Sequence, residues 1–401
     1  MSTTFTNLPG VRIQEVRLGA PPIAGVGTST AGFVGKAPVQ PGNLPPVRFK
    51  NVARLVTSTD QFLADYVRDP AFPDDETKGA QSNTDLGAAV LGFFQNGGTE
   101  CYVVNVDSDV ATDVTAGLDL LAKIEDIDII AAPGHTSNTV YSALKTQAEE
   151  TRNRIAILDP PSKVSDLATL RKGGTARPTD SIWTAFYYPR IQITPVLKVD
   201  KDAAATGTVF FAPPSGHIAG VYARVDGQRG VHKAPANEQL LGTLGVEHLI
   251  TDAEQDGLNN DSVNIIRNFS EGPVVWGART LLVNDSPDKT FRYINVRRLT
   301  TYIEQSLRIG LRFAVFEPNN LALRQTITRS VRGFLDGVWR DGALFGATAD
   351  EAYYVRFPDS FNTDTDRALG KLTVEIGIRV SFPAEFIIIR IGLLDRAANA
   401  A

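Results

Sequence analysis

Between residues 291 and 340 the apolar positions recur with a helical period. Leu299, Tyr302, Ile303 and Leu307 share one face of a helix beginning near Val296. Leu323, Ile327, Val331, Phe334, Leu335 and Val338 lie within one arc of a second helix, from about Asn320 to Arg340, at roughly 100° per residue. Between the two, Phe313 to Phe316 reads as a short buried strand stopped by Pro318. Farther on the period becomes two. Leu372, Val374, Ile376, Ile378 and Val380 alternate with Lys371, Thr373, Glu375, Gly377 and Arg379, which predicts a strand with one wet face. Residues 385–394 (EFIIIRIGLL) are apolar almost throughout, and such a strand near a chain end needs a cover for its faces and edge.

Toward the amino terminus the pattern is that of an open α/β sheet. Leu55 to Tyr66 reads as strand, cap and short helix, Leu86 to Phe94 as a helix ended by Asn96-Gly97-Gly98, and Cys101 to Val106 as a buried strand. A strand in Asp126 to Ala132, a helix from Ser137 to Asn153 and a strand from Arg154 to Leu158 continue the β-α-β alternation. Tyr187 to Ile193 and Thr194 to Phe211 predict two strands about a charged, Ala-rich turn. Val11 and Ile13, alternating with Arg12, Gln14 and Glu15, predict a short strand that Gly19, Pro21 and Pro22 cut off from any adjacent hairpin partner. It pairs at a distance, within its own chain or with another.

The 401 residues, 43% hydrophobic, are enough for two or three domains. A formal net charge of -5 argues against general nucleic-acid binding. Nine arginines against Glu304, Glu317 and Asp336 nevertheless make the piece from Phe291 to Arg340 basic. Arg329, Arg332 and Arg340, on the polar side of the second helix, form either a solvated face or a docking face for an acidic partner. Cys101 is the only cysteine, which excludes an intrachain disulfide and a Cys-rich metal cage and fits a core position in a chain assembled in a reducing cytoplasm. Met1 to Gly10 has no apolar core of a secretory signal, and no run of about 18 apolar residues offers a membrane span. A soluble protein is expected.

Candidate chemistry is sparse. Gly25 to Gly35 (GVGTSTAGFVG) lacks the GK[ST] ending of a phosphate loop, and its glycines do not fit GxGxxG. His135, Asp159 and Ser162 follow strand carboxyl ends, where open α/β sheets bind ligands, so an α/β hydrolase with a pocket near His135 and Asp159 is the alternative function. No GxSxG elbow or HExxH pattern accompanies them, and His135, His217, His232 and His248 fall on four separate segments. The glycines of Gly216 to Tyr222 and Gly227 to Asn237 suit tight turns.

Several runs together carry a resemblance. VVWGARTL, YINVRRLTTYIEQSL, FAVFEPNN, WRDGALFGATADEAYYVRF, VEIGI and PAEFIIIRI, ending at Ile391, closely resemble the C-terminal domain of contractile tail sheath proteins, found in myophages, R-type bacteriocins and extracellular contractile injection systems. PGVRIQEV (Pro9 to Val16), PIAGVGTSTAGFVGKAP (Pro22 to Pro38), FFQNGGTECYVVNV (Phe93 to Val106) and PPSGHIAGVYARVDGQRGVHKAPAN (Pro213 to Asn237) fit the same family in the expected order.

The resemblance implies a mixed α/β chain. Its divisions would be an arm strand and linker over 1–24, an outer α/β domain over 25–255 with a hairpin-bearing insertion at about 187–237, an inner C-terminal domain over 256–384, and a C-terminal arm and tail over 385–401. It implies that Val11, Arg12, Ile13, Gln14 and Glu15, and Phe386, Ile387, Ile388, Ile389, Arg390 and Ile391, are strands donated to neighbouring subunits. Leu372, Val374, Ile376 and Ile378 would then lie on the accepting strand, and Arg329, Arg332 and Arg340 would face an inner tube. The implied function is structural: stacked hexameric rings held extended around that tube, whose contraction drives the tube through a target envelope. The implied partners are further copies of the chain, the tube protein, and baseplate and terminal cap proteins, with no nucleic acid, membrane insertion, catalytic group, cofactor or metal. Assembly is expected in the bacterial cytoplasm, with release on lysis.

Overall fold

The computed structural model describes residues 22–38, 49–67, 84–106, 108–194, 210–283 and 285–388. Strands β1 (Ala31–Gly35) and β2 (Arg54–Val56) are followed by helix α1 (Asp85–Gln95), β3 (Cys101–Asn105), helix α2 (Ala111–Ala122), β4 (Ile129–Ala131), helix α3 (Asn138–Thr151), β5 (Ile155–Leu158) and β6 (Thr184–Tyr188). β3, β1, β4, β5 and β6 lie side by side and parallel. Their alternation serves two apolar layers: Phe33, Val103 and Ile157 pack with α1, while Val34, Val104 and Ala156 pack with α2 and α3. Burial on both faces is why these strands read as continuous apolar runs. α2 escaped the sequence reading, since its buried positions are only Val114, Gly117, Leu118 and Leu121.

After β6 come β7 (Ile191–Ile193) and β8 (Phe210–Ala212), antiparallel with Ile191 opposite Ala212, the stem of the predicted hairpin. Helix α4 (Ser215–Arg229), β9 (Glu238–Gln239), β10 (Thr243–Val246), helix α5 (Asp252–Asn260), β11 (Val263–Phe269) and β12 (Gly272–Val275) follow. β10 joins β7, whereas β11 pairs in parallel with β6, and β12 and β9 extend that edge to a nine-stranded sheet. The boundary expected at 255/256 therefore falls inside the outer layer: buried Val263, Ile265 and Ile266 belong to the large sheet.

The glycines of the 216–222 segment make no turn. They lie in α4, where a Cβ on Gly216 would stand 2.2 Å from the Ala89 carbonyl oxygen and one on Gly220 2.4 Å from that of Phe93. Small residues let α4 and α1 touch backbone to backbone. His217 caps the contact from the other side, over Gly92.

The remainder is helix α6 (Ile294–Gly310), helix α7 (Leu321–Arg340) and a two-stranded antiparallel sheet of β13 (Tyr353–Arg356) and β14 (Glu375–Ile378). The predicted apolar arc of α7 is buried, with Leu323, Ile327, Val331 and Leu335 against Leu299 and Ile303 of α6 and against Tyr353 and Val355. The apolar run at 313–316 is not a strand. A 3₁₀ turn covers Arg312–Ala314, and Val315 and Phe316 are 61% and 103% exposed, Phe316 in the left-handed region at φ 67°. So short a run carries no periodicity to separate a strand from the end of a helix, and no sheet edge reaches it among the described residues.

Candidate assembly interface

The root of the amino-terminal arm is laid along α6. Ile23 joins the α6–α7 core, and a Cβ on Gly25 would stand 2.1 Å from the Tyr302 hydroxyl, so a side chain there would displace the Tyr302 ring. The Val26 amide donates to Ser306 Oγ at 3.2 Å. Arg298 of α6 then donates to the Thr28 carbonyl at 2.7 Å and grips Asp226 of α4 through both terminal nitrogens, at 2.9 and 2.5 Å. Thr28 Oγ1 donates to the same carboxylate at 2.6 Å, and Arg298 stacks 4.8 Å over Tyr222. Its neighbour Arg297 lies between the rings of Trp183 and Phe291, 4.2 Å from each. Two of the nine arginines counted as basic surface are thus buried ties between α6 and the outer layer. Val11, Arg12, Ile13, Gln14 and Glu15 lie outside the described residues.

At the other end the chain leaves the subunit as an uncovered apolar run. Phe386, Ile387 and Ile388 are 71%, 82% and 81% exposed; Ile389, Arg390 and Ile391 lie outside the described residues. The sheet expected to accept such a strand is short. Ile376 and Ile378 face Val355 and Tyr353 over α7, the Tyr353 hydroxyl donates to Asp336 at 2.5 Å, and Val380 adds an isolated bridge to Leu344. Leu372 and Val374 pack on the same core ahead of the strand. Among the described residues neither β13 nor β14 has a second strand beside it. Two isolated strands are marginal in water; here packing on α7 supports the pair, and its outer edges stay open among the described residues.

Arg329, Arg332 and Arg340 all lie on the solvent side of α7. Arg332 stands 3.9 Å from Asp350, in an exposed pair of little energetic weight, and Arg329 donates only a 3.5 Å bond to Thr326. This face is exposed among the described residues.

The order of elements from Val110 onward has counterparts elsewhere. A model of the phage tail sheath protein central domain matches residues 110–281, and one of the phage tail sheath C-terminal domain matches residues 286–393. The chain belongs to the contractile tail sheath family. It is 29% identical over 271 residues to the tail sheath protein of Burkholderia phage BcepMu, covering 64% of this chain and 53% of that protein, so it spans about half the length of that relative. It superposes on the contracted PVC sheath complex of an extracellular contractile injection system with TM-score 0.76 and 27% identity, over 97% of this chain and 98% of the other. A chain of the 6-fold symmetrised anti-feeding prophage baseplate gives TM-score 0.73 and 29% identity, over 98% and 100%.

Tail sheath proteins are structural, and the residues behind the hydrolase alternative have structural uses here. Asp159 caps α4, accepting from the Ser215 amide at 2.8 Å, the Ser215 hydroxyl at 2.6 Å and the Gly134 amide at 3.1 Å. Burial pushes its carboxyl up to about 6 in spite of these bonds. His135, its imidazole pushed down by burial, stands 3.9 Å from Asp109. Ser162 is exposed, and no hydrogen bond joins it to His135 or Asp159 among the described residues. His217 is driven down to about 4 by burial alone and stays neutral against α1. Among the described residues no group of three or more His, Cys, Asp or Glu is placed to hold a metal, and no helix is long and apolar enough to cross a membrane.

Proposed function

We propose that this chain is the repeating structural subunit of a contractile sheath, polymerised as stacked hexameric rings around an inner tube, held extended by that tube and contracting when a baseplate releases it. The observation that carries the reading is the pairing of an exposed apolar arm, Phe386 to Ile388, with an unfinished two-stranded sheet on the same chain. Among the described residues neither is satisfied within the subunit, and each supplies what the other needs in a second copy. In this reading the arm from Phe386 to Ile391, and the amino-terminal strand Val11 to Glu15, add to the sheet whose accepting strand carries Leu372, Val374, Ile376 and Ile378. Strand addition contributes main-chain hydrogen bonds of about 0.5–1.5 kcal/mol each. One such joint is modest, and a lattice of them is a mesh.

No nucleotide is hydrolysed by this chain in the proposal. The work comes from the lattice: a gain of about 1–3 kcal/mol per subunit on contraction, the size of ordinary coupling energies, sums over many copies. The sheath assembles in the bacterial cytoplasm with tube, baseplate and terminal cap proteins and leaves on lysis.

Arg329, Arg332 and Arg340 face the tube. Their contact is weak and salt-sensitive, as a grip that must let go requires. Replacing all three with glutamate is expected to leave the subunit folded and to eliminate extended sheaths on tubes in electron micrographs of purified particles. Extended particles of normal length and number from the triple variant would remove the tube assignment.

A further inference from the structure

The C-terminal arm starts from an unexpected anchor. One charged residue, Glu385, interrupts the apolar run at its root, and its carboxylate crosses to the outer layer. Arg279 approaches Glu385 Oε1 at 2.7 Å and, through Nε, Oε2 at 3.3 Å. The Tyr293 hydroxyl donates to Oε2 at 2.8 Å and Asn259 Nδ2 to Oε1 at 3.4 Å. Arg279 is 2% exposed and built into the large sheet: its amide donates to Asn264 Oδ1 at 2.7 Å, and Asn264 Nδ2 donates to the Arg279 carbonyl and to that of Phe186. Burial disfavours the Glu385 charge, yet the bonds from Arg279 and Tyr293 hold its carboxyl below the ordinary glutamate range.

Around this contact the arm is loosely seated. A groove of 810 Å³ separates residues 381–387 from Trp276, Gly277 and Asn259 beneath. Among the described residues, Glu385 carries the hydrogen bonds that tie 382–388 to the rest. The amino-terminal arm is rooted on α6, whereas the C-terminal arm, seven residues after β14, is rooted on Asn259, Tyr293 and Arg279, the last hydrogen-bonded to Asn264 of β11.

We propose that Glu385 is a positioning residue: its ion pair with Arg279 latches the arm root to the outer layer and sets the direction in which Phe386 to Ile388 leave the subunit toward a second copy. A pull on the arm is then borne by β11 and β12 rather than by the two-stranded sheet, so the outer layer moves with the neighbour that holds the arm. The latch rests on the reading of the arm as a donated strand.

The test uses the full chain with Ala384→Cys carrying a nitroxide label, which is selective because Cys101 is buried. The expected result is a restricted label in the parent and a freely moving one in Glu385→Gln, with the number of full-length sheaths reduced about tenfold or more by misdirected arms. Where Glu385→Gln yields too little folded subunit, the paired change of Arg279 and Glu385 to methionine removes the buried charge while still freeing the arm, and the same outcome is expected. A label as restricted in these variants as in the parent overturns the latch and leaves the donated arm standing. A mobile label with normal sheaths overturns the positioning role. Normal sheaths from Ile387→Glu/Ile388→Glu overturn the arm reading and the latch with it.

Discussion

Changing Ile387 and Ile388 together to glutamate leaves the isolated subunit folded and abolishes its polymerisation. Both side chains are more than four-fifths exposed in the subunit, and substitutions at such positions shift stability by no more than about 0.5 kcal/mol. In a lattice these adjacent side chains would point to opposite faces of the sheet, so one of them would enter the apolar face over α7, beside Ile376, Ile378 and Val355. A carboxylate buried there would be unpaired, and burying an unpaired charge costs far more than a short strand's hydrogen bonds return. Thermal unfolding of the purified subunit and sedimentation of its assemblies separate the two effects. An unchanged midpoint with loss of fast-sedimenting material is expected; intact assemblies would show that the run is not buried between copies.

The second large effect lies inside the subunit. Asp226→Ala is expected to destabilise the fold by about 3–5 kcal/mol, the usual result of removing one partner of a buried ion pair. Arg298 and Asp226 are each 6% exposed in the pair, and Thr28 loses its hydroxyl's acceptor in the same change. The loss is read as a lower urea midpoint at constant slope. A paired Asp226→Leu, Arg298→Met variant removes both charges and is expected to recover most of the stability, since the cost lies in the abandoned guanidinium rather than in the missing attraction. Asp226→Ala within about 1 kcal/mol of the parent would mean that the joint between α6 and the outer layer is held by apolar contact alone.

What could be read from the sequence was whatever is local. The apolar arc of α7 and the buried strands β3, β4 and β5 follow from local pattern alone. α5 had a local signal that was overlooked: Thr251 and Glu254 form a capping box, but the helix buries only Leu258 and shows no apolar stripe. Other features depend on partners far along the chain. Arg297 and Arg298 look like surface charge until Asp226, 72 residues earlier, and the ring of Trp183 are brought to them. Glu385 looks like a stray carboxylate until Arg279 meets it across 106 residues. Gly216 and Gly220 suit tight turns in sequence and serve close packing in the fold, because the α1 backbone that needs the room is remote. The exposed run Phe386 to Ile388 and the exposed arginine side of α7 were legible, since apolarity and a one-sided helix are both local patterns. The shortness of the two-stranded sheet was not. It reflects how little of residues 371–380 finds a strand partner among the described residues.

Strand donation between copies can be tested by cross-linking. Cysteine at position 388 is paired in turn with cysteine at Thr373, Glu375 and Arg379, beside or within β14, and the assembled sheaths are mildly oxidised; the native Cys101 is buried and takes no part. Donation predicts a ladder of covalent multimers for at least one pairing, collapsed to the single chain by reductant and absent from unassembled subunits. Well-formed sheaths in which every pairing yields only monomers, or only bonds within one chain, would contradict it.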